Sequence, residues 1–137
     1  MGFFVVGWDE DTPETYRRTL DFCDEMKIIP IILTLAPMPG SPIYDDYLEQ
    51  GRIFTELSWD HYGGDSIVFK HPAMDPKEMY DLNSRILQEG FSMGRILSRT
   101  LHTFRNRPSL GVTLSSFFTQ LGIRKAFRRM TENPQFE

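Results

Sequence analysis

Residues 2–51 read GFFVVGWDEDTPETYRRTLDFCDEMKIIPIILTLAPMPGSPIYDDYLEQG, a stretch in which two apolar runs are each followed by the start of a helix. The first run, Phe3–Val6, is aromatic and β-branched and lies between glycines, which predicts a strand buried on both faces. The second run, Ile28–Leu35, predicts another buried strand. Because Pro30 cannot donate a backbone hydrogen bond, ordered pairing of this strand is expected to start late or to lie at a sheet edge.

Both apolar runs lead into helices with the same N-terminal signal. Thr12-Pro13 and Ser41-Pro42 each place a hydroxyl cap before a proline, which has no amide hydrogen to leave unpaired. The first helix is expected to end near Lys27 and the second at Gly51, in a left-handed conformation. This order predicts an α/β fold: one right-handed βαβα unit with parallel strands, followed by a mainly helical C-terminal region.

Residues 52–74 are rich in aromatic side chains and predict an ordered connection with a short strand at Ser66–Lys70. Asp75-Pro76 then starts a long amphipathic helix, which is expected to bend at its glycines and to end at Arg107-Pro108. Two shorter helices, separated by Gly122, are expected to follow. The predicted segments are therefore 1–51, 52–74 and 75–137.

The composition is that of an ordinary globular chain of 137 residues, with 40% hydrophobic and 25% charged residues. Its single cysteine, Cys23, excludes an intramolecular disulfide, a zinc ribbon and a cysteine-held iron–sulfur cluster. No apolar run is long enough to span a bilayer, and the N-terminus lacks the features of a signal peptide. We therefore expect a cytoplasmic location.

Charge is distributed unevenly along the chain. Residues 1–90 carry 7 Lys+Arg and 17 Asp+Glu, whereas residues 91–137 carry 8 and 2. A basic arm for nucleic acid or an anionic lipid surface is one interpretation, and two halves that attract each other is the favoured one. Nucleic acid is disfavoured because the C-terminal phenylalanines fall at helical spacing with leucines, which predicts burial in a core. The apolar residues expected to be buried in the first of the two shorter helices are Leu110, Leu114, Phe117, Phe118 and Leu121.

Few residues of this sequence are candidates for catalysis or metal binding. The helix position of Cys23 predicts a buried, inert thiol. The three histidines, His61, His71 and His102, are too scattered for a metal site and are expected to be surface or partner-satisfied residues. The acidic loop Asp9–Asp11 follows the first strand, where ligands bind in α/β sheets, so an acid–base pair is one interpretation. Helix capping and solvation are the favoured explanation of the same loop.

The order of the motifs resembles that of radical S-adenosylmethionine enzymes, especially their cobalamin-binding, methylase-like subgroup. Residues 3–15, FFVVGWDEDTPET, resemble the strand-five segment of that family, and residues 33–44, LTLAPMPGSPIY, resemble its sixth strand. Residues 75–79, DPKEM, resemble a later helix start. The helical tail is similar to that of hopanoid C-2 methylase-like members. The resemblance implies that residues 1–51 are a fragment of a (β/α) barrel.

In the family, the ends of strands five and six flank the adenine of S-adenosylmethionine. Carried over by motif, the implied cofactor-binding residues are Val5, Gly7, Asp9, Leu35, Ala36 and Pro37. Buried packing is an equal alternative for Val5 and Leu35. The resemblance implies S-adenosylmethionine, an iron–sulfur cluster and, for this subgroup, cobalamin in the whole enzyme.

The CxxxCxxC loop that binds the family's cluster has no counterpart in this sequence. We therefore expect the C-terminal fragment of a radical S-adenosylmethionine enzyme that has no catalytic or metal-binding residue of its own and binds no cofactor in isolation. Its expected partners are the remainder of the enzyme and, through open strand edges, further copies of itself. The alternative is a stand-alone helical interaction module that binds an acidic partner through Arg124, Lys125, Arg128 and Arg129.

Overall fold

The computed structural model describes residues 1–106 and 109–131 and contains a two-stranded parallel sheet with helices packed on one face. Strand β1 (Gly2–Val6) pairs with β2 (Pro30–Thr34), with Gly2 opposite Pro30 and Val6 opposite Thr34. The α/β class, with each parallel strand followed by a helix, is confirmed. Pro30 is the first residue of its strand, as expected for a residue without an amide hydrogen.

The first two helices begin and end where their local signals predict. Helix α1 (Pro13–Glu25) follows Thr12, whose amide donates to Oγ1 of Thr15 at 3.2 Å. Helix α2 (Pro42–Glu49) follows Ser41, whose Oγ accepts the Tyr44 amide at 3.4 Å. Gly51 has a φ of +67°, which confirms the predicted left-handed residue after this helix.

The face of β1 that points away from the helices is open, and the prediction of a strand buried on both faces is wrong. Phe3 and Val5 are 69% and 50% exposed. Val6, on the other face, is buried, and Phe4 contacts Phe22 of α1 in an edge-on arrangement. The difference arises because α1 packs on β1 from one side only, and an apolar run does not reveal how many layers will cover it.

The aromatic connection lies beside the sheet and the predicted strand within it is reduced to a single bridge. Ile53 pairs with Phe69 in antiparallel fashion, supported by a hydrogen bond from the Lys70 amide to the Arg52 carbonyl at 2.8 Å. A 3-10 turn spans Trp59–Gly63. Too few residues pair for a strand, although residues 67–69 are buried in the core.

The predicted single long helix is two helices, α3 (Pro76–Gly90) and α4 (Met93–Asn106). Gly90 packs so closely that a Cβ there would lie 3.1 Å from Leu20 Cδ1. Phe91 then leaves the helix and is buried against the ring of Phe127. Burial of this aromatic side chain outweighs the helical periodicity that runs across the break. The Asp75 cap is confirmed, since its Oδ1 accepts the Lys77 amide at 2.9 Å.

The C-terminal region is one helix, α5 (Leu110–Thr131), so Gly122 does not divide it as predicted. Leu110, Leu114 and Phe118 are 71%, 52% and 63% exposed, and their predicted burial is wrong. The reason is that α5 packs on α4 through a different side, which carries the fully buried Gln120 and the half-buried Phe117 and Leu121. The predicted helix end at Arg107-Pro108 and the predicted frayed residues beyond Thr131 lie outside the described residues.

The core lies between the sheet, α1 and α3, and extends into the aromatic connection. Across residues 1–106 and 109–131, the structure has no helix with the length and apolarity needed to cross a bilayer. The largest fully buried apolar side chains are Tyr16, Phe69, Phe91, Leu20, Ile32, Ile67, Met79, Ile86 and Ile96.

Candidate functional site

Most of the six residues implied as cofactor-binding lie where the two parallel strands end. Gly7 directly follows β1, and residues 35–37 directly follow β2. The Leu35 amide donates to the Val6 carbonyl at 2.7 Å, which brings the two chain segments together. Ligand sites in parallel sheets lie at this carboxyl edge. The structure thus places Gly7 and Leu35 side by side, and their binding of a cofactor stays a prediction.

Burial separates these residues into two groups. Leu35 and Pro37 are buried and Ala36 is half-buried, so the chain after β2 is largely packed. Val5 lies on the open face of the sheet and is half exposed. An apolar ligand can therefore contact Val5, whereas the buried-packing alternative describes Leu35 better.

Gly7 occupies a backbone conformation that a side chain would strain. Its φ is +98°, and a Cβ at this position would lie 3.2 Å from Met79 Cε and 3.4 Å from Thr34 Cγ2. The glycine is therefore required by the turn after β1 and by close packing against α3.

Asp9 is held by an arginine and a tyrosine from the segment after β2. Arg52 Nη2 and Nη1 donate to Asp9 Oδ1 and Oδ2 at 2.6 and 2.9 Å, and the Tyr47 hydroxyl donates to Oδ1 at 2.7 Å. The guanidinium also lies 3.8 Å from the centre of the Tyr47 ring. A bidentate arginine–carboxylate contact of this kind is among the stronger charge-assisted interactions in proteins.

These contacts shift the pKa values of Asp9 and Tyr47. The hydrogen bond from Arg52 is the largest cause that lowers the pKa of Asp9 to about 2, against the opposing effect of burial. Burial, followed by the bond to Asp9, raises the pKa of Tyr47 to about 12. Asp9 is thus a permanently charged anchoring group at neutral pH. Its low pKa argues against an acid–base role, and its partial exposure agrees with the solvation interpretation, but the residue binds Arg52 and Tyr47 and caps no helix.

The backbone at the start of the acidic loop forms hydrogen bonds with Asp11, from the same loop, and with His71. Asp11 Oδ2 accepts the amides of Gly7 and Trp8 at 2.7 and 3.0 Å. His71 Nε2 lies 2.8 Å from the Trp8 carbonyl, and His71 Nδ1 accepts the amides of residues 73 and 74 at 3.1 Å. Because Nδ1 is an acceptor, this pattern assigns the proton to Nε2, which donates to Trp8. Buried His71 is a partner-satisfied residue, as predicted.

Sequence reasoning missed Tyr47, Arg52 and His71 as members of this site. Their partners are 38 to 63 residues distant in the chain, and no local spacing signals such contacts. The only hint is that Arg52 follows a glycine predicted to end a helix at the carboxyl edge of the sheet.

The donor set of an iron–sulfur cluster is absent from this sequence. Cys23 is its one cysteine and is fully buried, and burial raises the pKa of its thiol. In the part of the chain that the structure describes, no three His, Cys, Asp or Glu side chains converge on a point where a metal ion could lie. Residues of this chain therefore do not fit a cluster, whereas the apolar face beside Val5 and the rim at Asp9 can contact an organic ligand.

Acidic pH should weaken the fold through Asp9. The carboxylate is charged more readily in the folded chain, where its pKa is about 2, than in the unfolded chain, where it is near 3.8. Its stabilising contribution is therefore present above about pH 4 and lost as the pH falls towards about 2. Since the Asp9 side chain is 39% exposed, we expect about 1 kcal/mol after solvent screening.

Urea unfolding at about pH 5 and about pH 2.5 measures this loss. Arg52→Gln should reduce the pH dependence of the free energy of unfolding, because the neutral amide no longer stabilises the carboxylate. Arg18→Gln breaks only the exposed pair with Glu14 and should leave that dependence unchanged. Equal pH profiles for Arg52→Gln and the unsubstituted chain would contradict the assignment.

Comparison with known proteins indicates a distant relationship to methyltransferases. The chain is 30% identical over 131 residues to bacteriochlorophyllide d C-8(2)-methyltransferase of Chlorobaculum tepidum, which covers 94% of this chain and 29% of that protein. It is 24% identical over 100 residues to bacteriochlorophyllide d C-12(1)-methyltransferase of the same organism, covering 72% of this chain and 21% of that protein. The chain thus spans less than a third of the length of either relative.

These relatives support a relationship to methyltransferases but not to the narrower subgroup that the sequence resembles. Both names describe methyltransferases, in agreement with the methylase-like resemblance. Neither is a hopanoid methylase, so the hopanoid subgroup is not supported. No protein-family profile and no solved structure matches the chain.

Proposed function

We propose that this chain works as the carboxy-terminal part of a radical S-adenosylmethionine methyltransferase and has no turnover in isolation. In this proposal β1 and β2 are neighbouring strands of a (β/α) barrel, and other polypeptide supplies the remaining strands. The motif order and the distant relationship to two methyltransferases support the proposal.

The open face of the sheet is the observation that carries it. In a (β/α) barrel, one face of each strand packs against the outer helices and the other face points into the barrel interior. The two faces of β1 differ in the same way: Val6 is buried on the face that packs against the helices, and Phe3 and Val5 are exposed on the other face. Phe3 and Val5 point to the same face of one strand, and adjoining exposed apolar side chains of this kind mark a surface that another element covers. Further strands would cover them, and until then the free strand edges favour self-association.

The chain's own residues would contribute to one side of the cofactor pocket. Val5 would contact the adenine from the open sheet face, and the turn at Gly7 and residues 35–37 would shape the floor. Asp9, kept anionic by Arg52, would accept hydrogen bonds from a polar part of the ligand. S-adenosylmethionine supplies adenosyl and methyl chemistry when bound, and the residues that hold the cluster and cobalamin would lie in the remainder of the enzyme.

The names of the relatives suggest the reaction class of the whole enzyme. Both transfer a methyl group to bacteriochlorophyllide d according to their names, so we propose methyl transfer to a bacteriochlorophyllide-like macrocycle in the cytoplasm. The stand-alone basic module is not favoured, because the match to one methyltransferase covers 94% of the chain and is not confined to the helical tail.

A chimeric enzyme, called the graft below, tests the proposal. The chain would replace the matching 131-residue segment of the C-8(2)-methyltransferase, and binding of S-adenosylmethionine would be measured by calorimetry. Val5→Asp in the graft should weaken binding at least about tenfold, because it introduces an unpaired charge beside the adenine. Leu48→Asp is the matched control, since Leu48 is similarly exposed but lies on α2.

The isolated chain provides the opposing measurement. After anaerobic treatment with iron and sulfide it should remain colourless and should not consume S-adenosylmethionine. A brown protein, or turnover of S-adenosylmethionine by the chain unaided, would overturn the proposal. Equal binding by the Val5→Asp and Leu48→Asp grafts would remove Val5 from the pocket.

A further inference from the structure

Helix α4 carries an apolar stripe that faces away from the rest of the chain. Met93, Leu97, Leu101 and Phe104 follow one another at steps of three or four residues and therefore share one side of the helix. Each of these side chains is more than 40% exposed. The opposite side of α4 is the packed one, because it presents buried Arg99 to its neighbours.

Helix α5 carries a second exposed apolar stripe. It packs beside α4, and its inward contacts include that of Gln120 with Arg99. Leu110, Leu114 and Phe118 lie at steps of four residues and are all more than half exposed. We call the exposed stripes of the two helices the amphipathic face. Its residues are Met93, Leu97, Leu101, Phe104, Leu110, Leu114 and Phe118.

The charge of this region has a single sign. Residues 91–131 contain no aspartate or glutamate and eight Lys+Arg. Arg95 and buried Arg99 are turned towards Asp24 of α1, whereas Arg105, Lys125 and Arg128 are exposed. Soluble helices normally mix both signs, which gives favourable pairs along their exposed surfaces. Clustered basic residues next to an exposed apolar stripe are instead typical of helices that lie at a membrane surface.

A groove of about 390 Å³ adjoins the stripe at Leu101. Lys27, two residues beyond the end of α1, lines it together with His102 and Arg105 of α4. Ser98 and Asn106 complete the lining. Two permanent positive charges and several hydrogen-bond donors beside an apolar side chain match the chemistry of a phosphate-bearing lipid headgroup attached to acyl chains.

We propose that the amphipathic face docks on an anionic lipid bilayer, with the groove at Lys27 and Arg105 receiving lipid headgroups. The stripe would insert between the headgroups while the surrounding basic side chains remain at the charged surface. A second copy of the chain is a poor occupant, because it would bring positive charge against positive charge. A nucleic acid would satisfy the charges but would leave the apolar stripe exposed to water.

Co-sedimentation of the full chain with lipid vesicles tests the proposal. We expect binding to vesicles of phosphatidylcholine with phosphatidylglycerol, little binding to phosphatidylcholine alone, and release at high salt. Leu101→Gln with Phe118→Gln should weaken partitioning at least about tenfold, because each removes buried apolar area at the membrane. The control, Leu48→Gln, changes an equally apolar exposed residue outside the face and should bind like the unsubstituted chain.

A second pair of variants examines the headgroup groove. Lys27→Gln with Arg105→Gln should weaken binding about fivefold for each charge removed. Arg17→Gln with Arg18→Gln removes the same charge from the exposed side of α1, away from the groove, and should have a smaller effect. All four substituted side chains are exposed, so circular dichroism should report an unchanged fold.

Several outcomes would overturn the proposal. They are the absence of vesicle binding, equal binding to neutral and anionic vesicles, and equal effects of the two charge pairs. A dimer that is disrupted by the Leu101→Gln and Phe118→Gln pair would show instead that a second copy covers the face. None of these readouts depends on S-adenosylmethionine, so the proposal stands or falls separately from the proposed function.

Discussion

Arg99→Ala is expected to lower the free energy of unfolding by about 3 kcal/mol, the largest effect of any single substitution considered. Arg99 is 2% exposed, and it connects three other helices. Its Nε donates to Gln120 Oε1 of α5 at 2.8 Å, its Nη2 donates to the Gly90 carbonyl of α3, and its Nη1 lies 3.7 Å from Asp24 Oδ1 of α1.

Alanine would remove all three contacts at once and leave buried acceptors unpaired. Gln120 is fully buried, so its side-chain oxygen would lose a partner without gaining water. Burial lowers the pKa of Arg99, opposed mainly by the charge of Asp24. An arginine remains protonated in spite of such a shift, so the native contacts are those of a cation.

Arg95→Ala is the matched control. Arg95 also binds Asp24, at 2.6 Å, but its side chain is 32% exposed. Partly solvated ion pairs contribute about 1 kcal/mol or less. Urea unfolding monitored by circular dichroism would measure both variants. A loss for Arg99→Ala no larger than that for Arg95→Ala would contradict the role assigned to Arg99.

His71→Ala is expected to lower the free energy of unfolding by about 2–3 kcal/mol. His71 is 7% exposed and satisfies one carbonyl and two amides, those of Trp8, Ala73 and Met74. Alanine offers no polar atom, so these backbone groups would be left unpaired or would have to admit water. Since Trp8 begins the loop that carries Asp9, this loop should also become less ordered.

Two measurements follow the His71 substitution. Urea unfolding gives the loss of stability, and amide hydrogen exchange at residues 73 and 74 should become faster. His61→Ala serves as the control, because His61 makes one long contact with Ser66 at 3.4 Å and is only half-buried. If His61→Ala destabilised the chain as much as His71→Ala, the hydrogen-bond network would not be the cause.

Helix starts were predictable because their signals are local. Thr12, Ser41 and Asp75 each precede a proline, and each helix begins at that proline in the structure. A cap and a proline act within one helical turn, so four residues of sequence contain the information. The parallel pairing of the two strands was predictable as well, because a connection through a helix permits few other arrangements.

The candidate site was predictable in position but not in its contacts. Placing Gly7 and Leu35 at one edge needs only the knowledge that parallel strands end on the same side. That Asp9 binds Arg52 depends on how the chain after α2 returns to the sheet. The charge distribution predicted that arginines of the second half pair with the acidic first half, and Arg95 and Arg99 both do so at Asp24.

By itself, the amino-acid sequence determined the two parallel strands and the starts of α1, α2 and α3, since these follow from interactions among near neighbours. Only the tertiary structure decided which apolar faces are covered. Phe91 is buried in a helix break, whereas Phe3 and Phe118, in equally apolar surroundings in the sequence, are exposed. The physical reason is that periodicity shows on which side of an element the apolar residues lie, while burial requires another element to pack against that side.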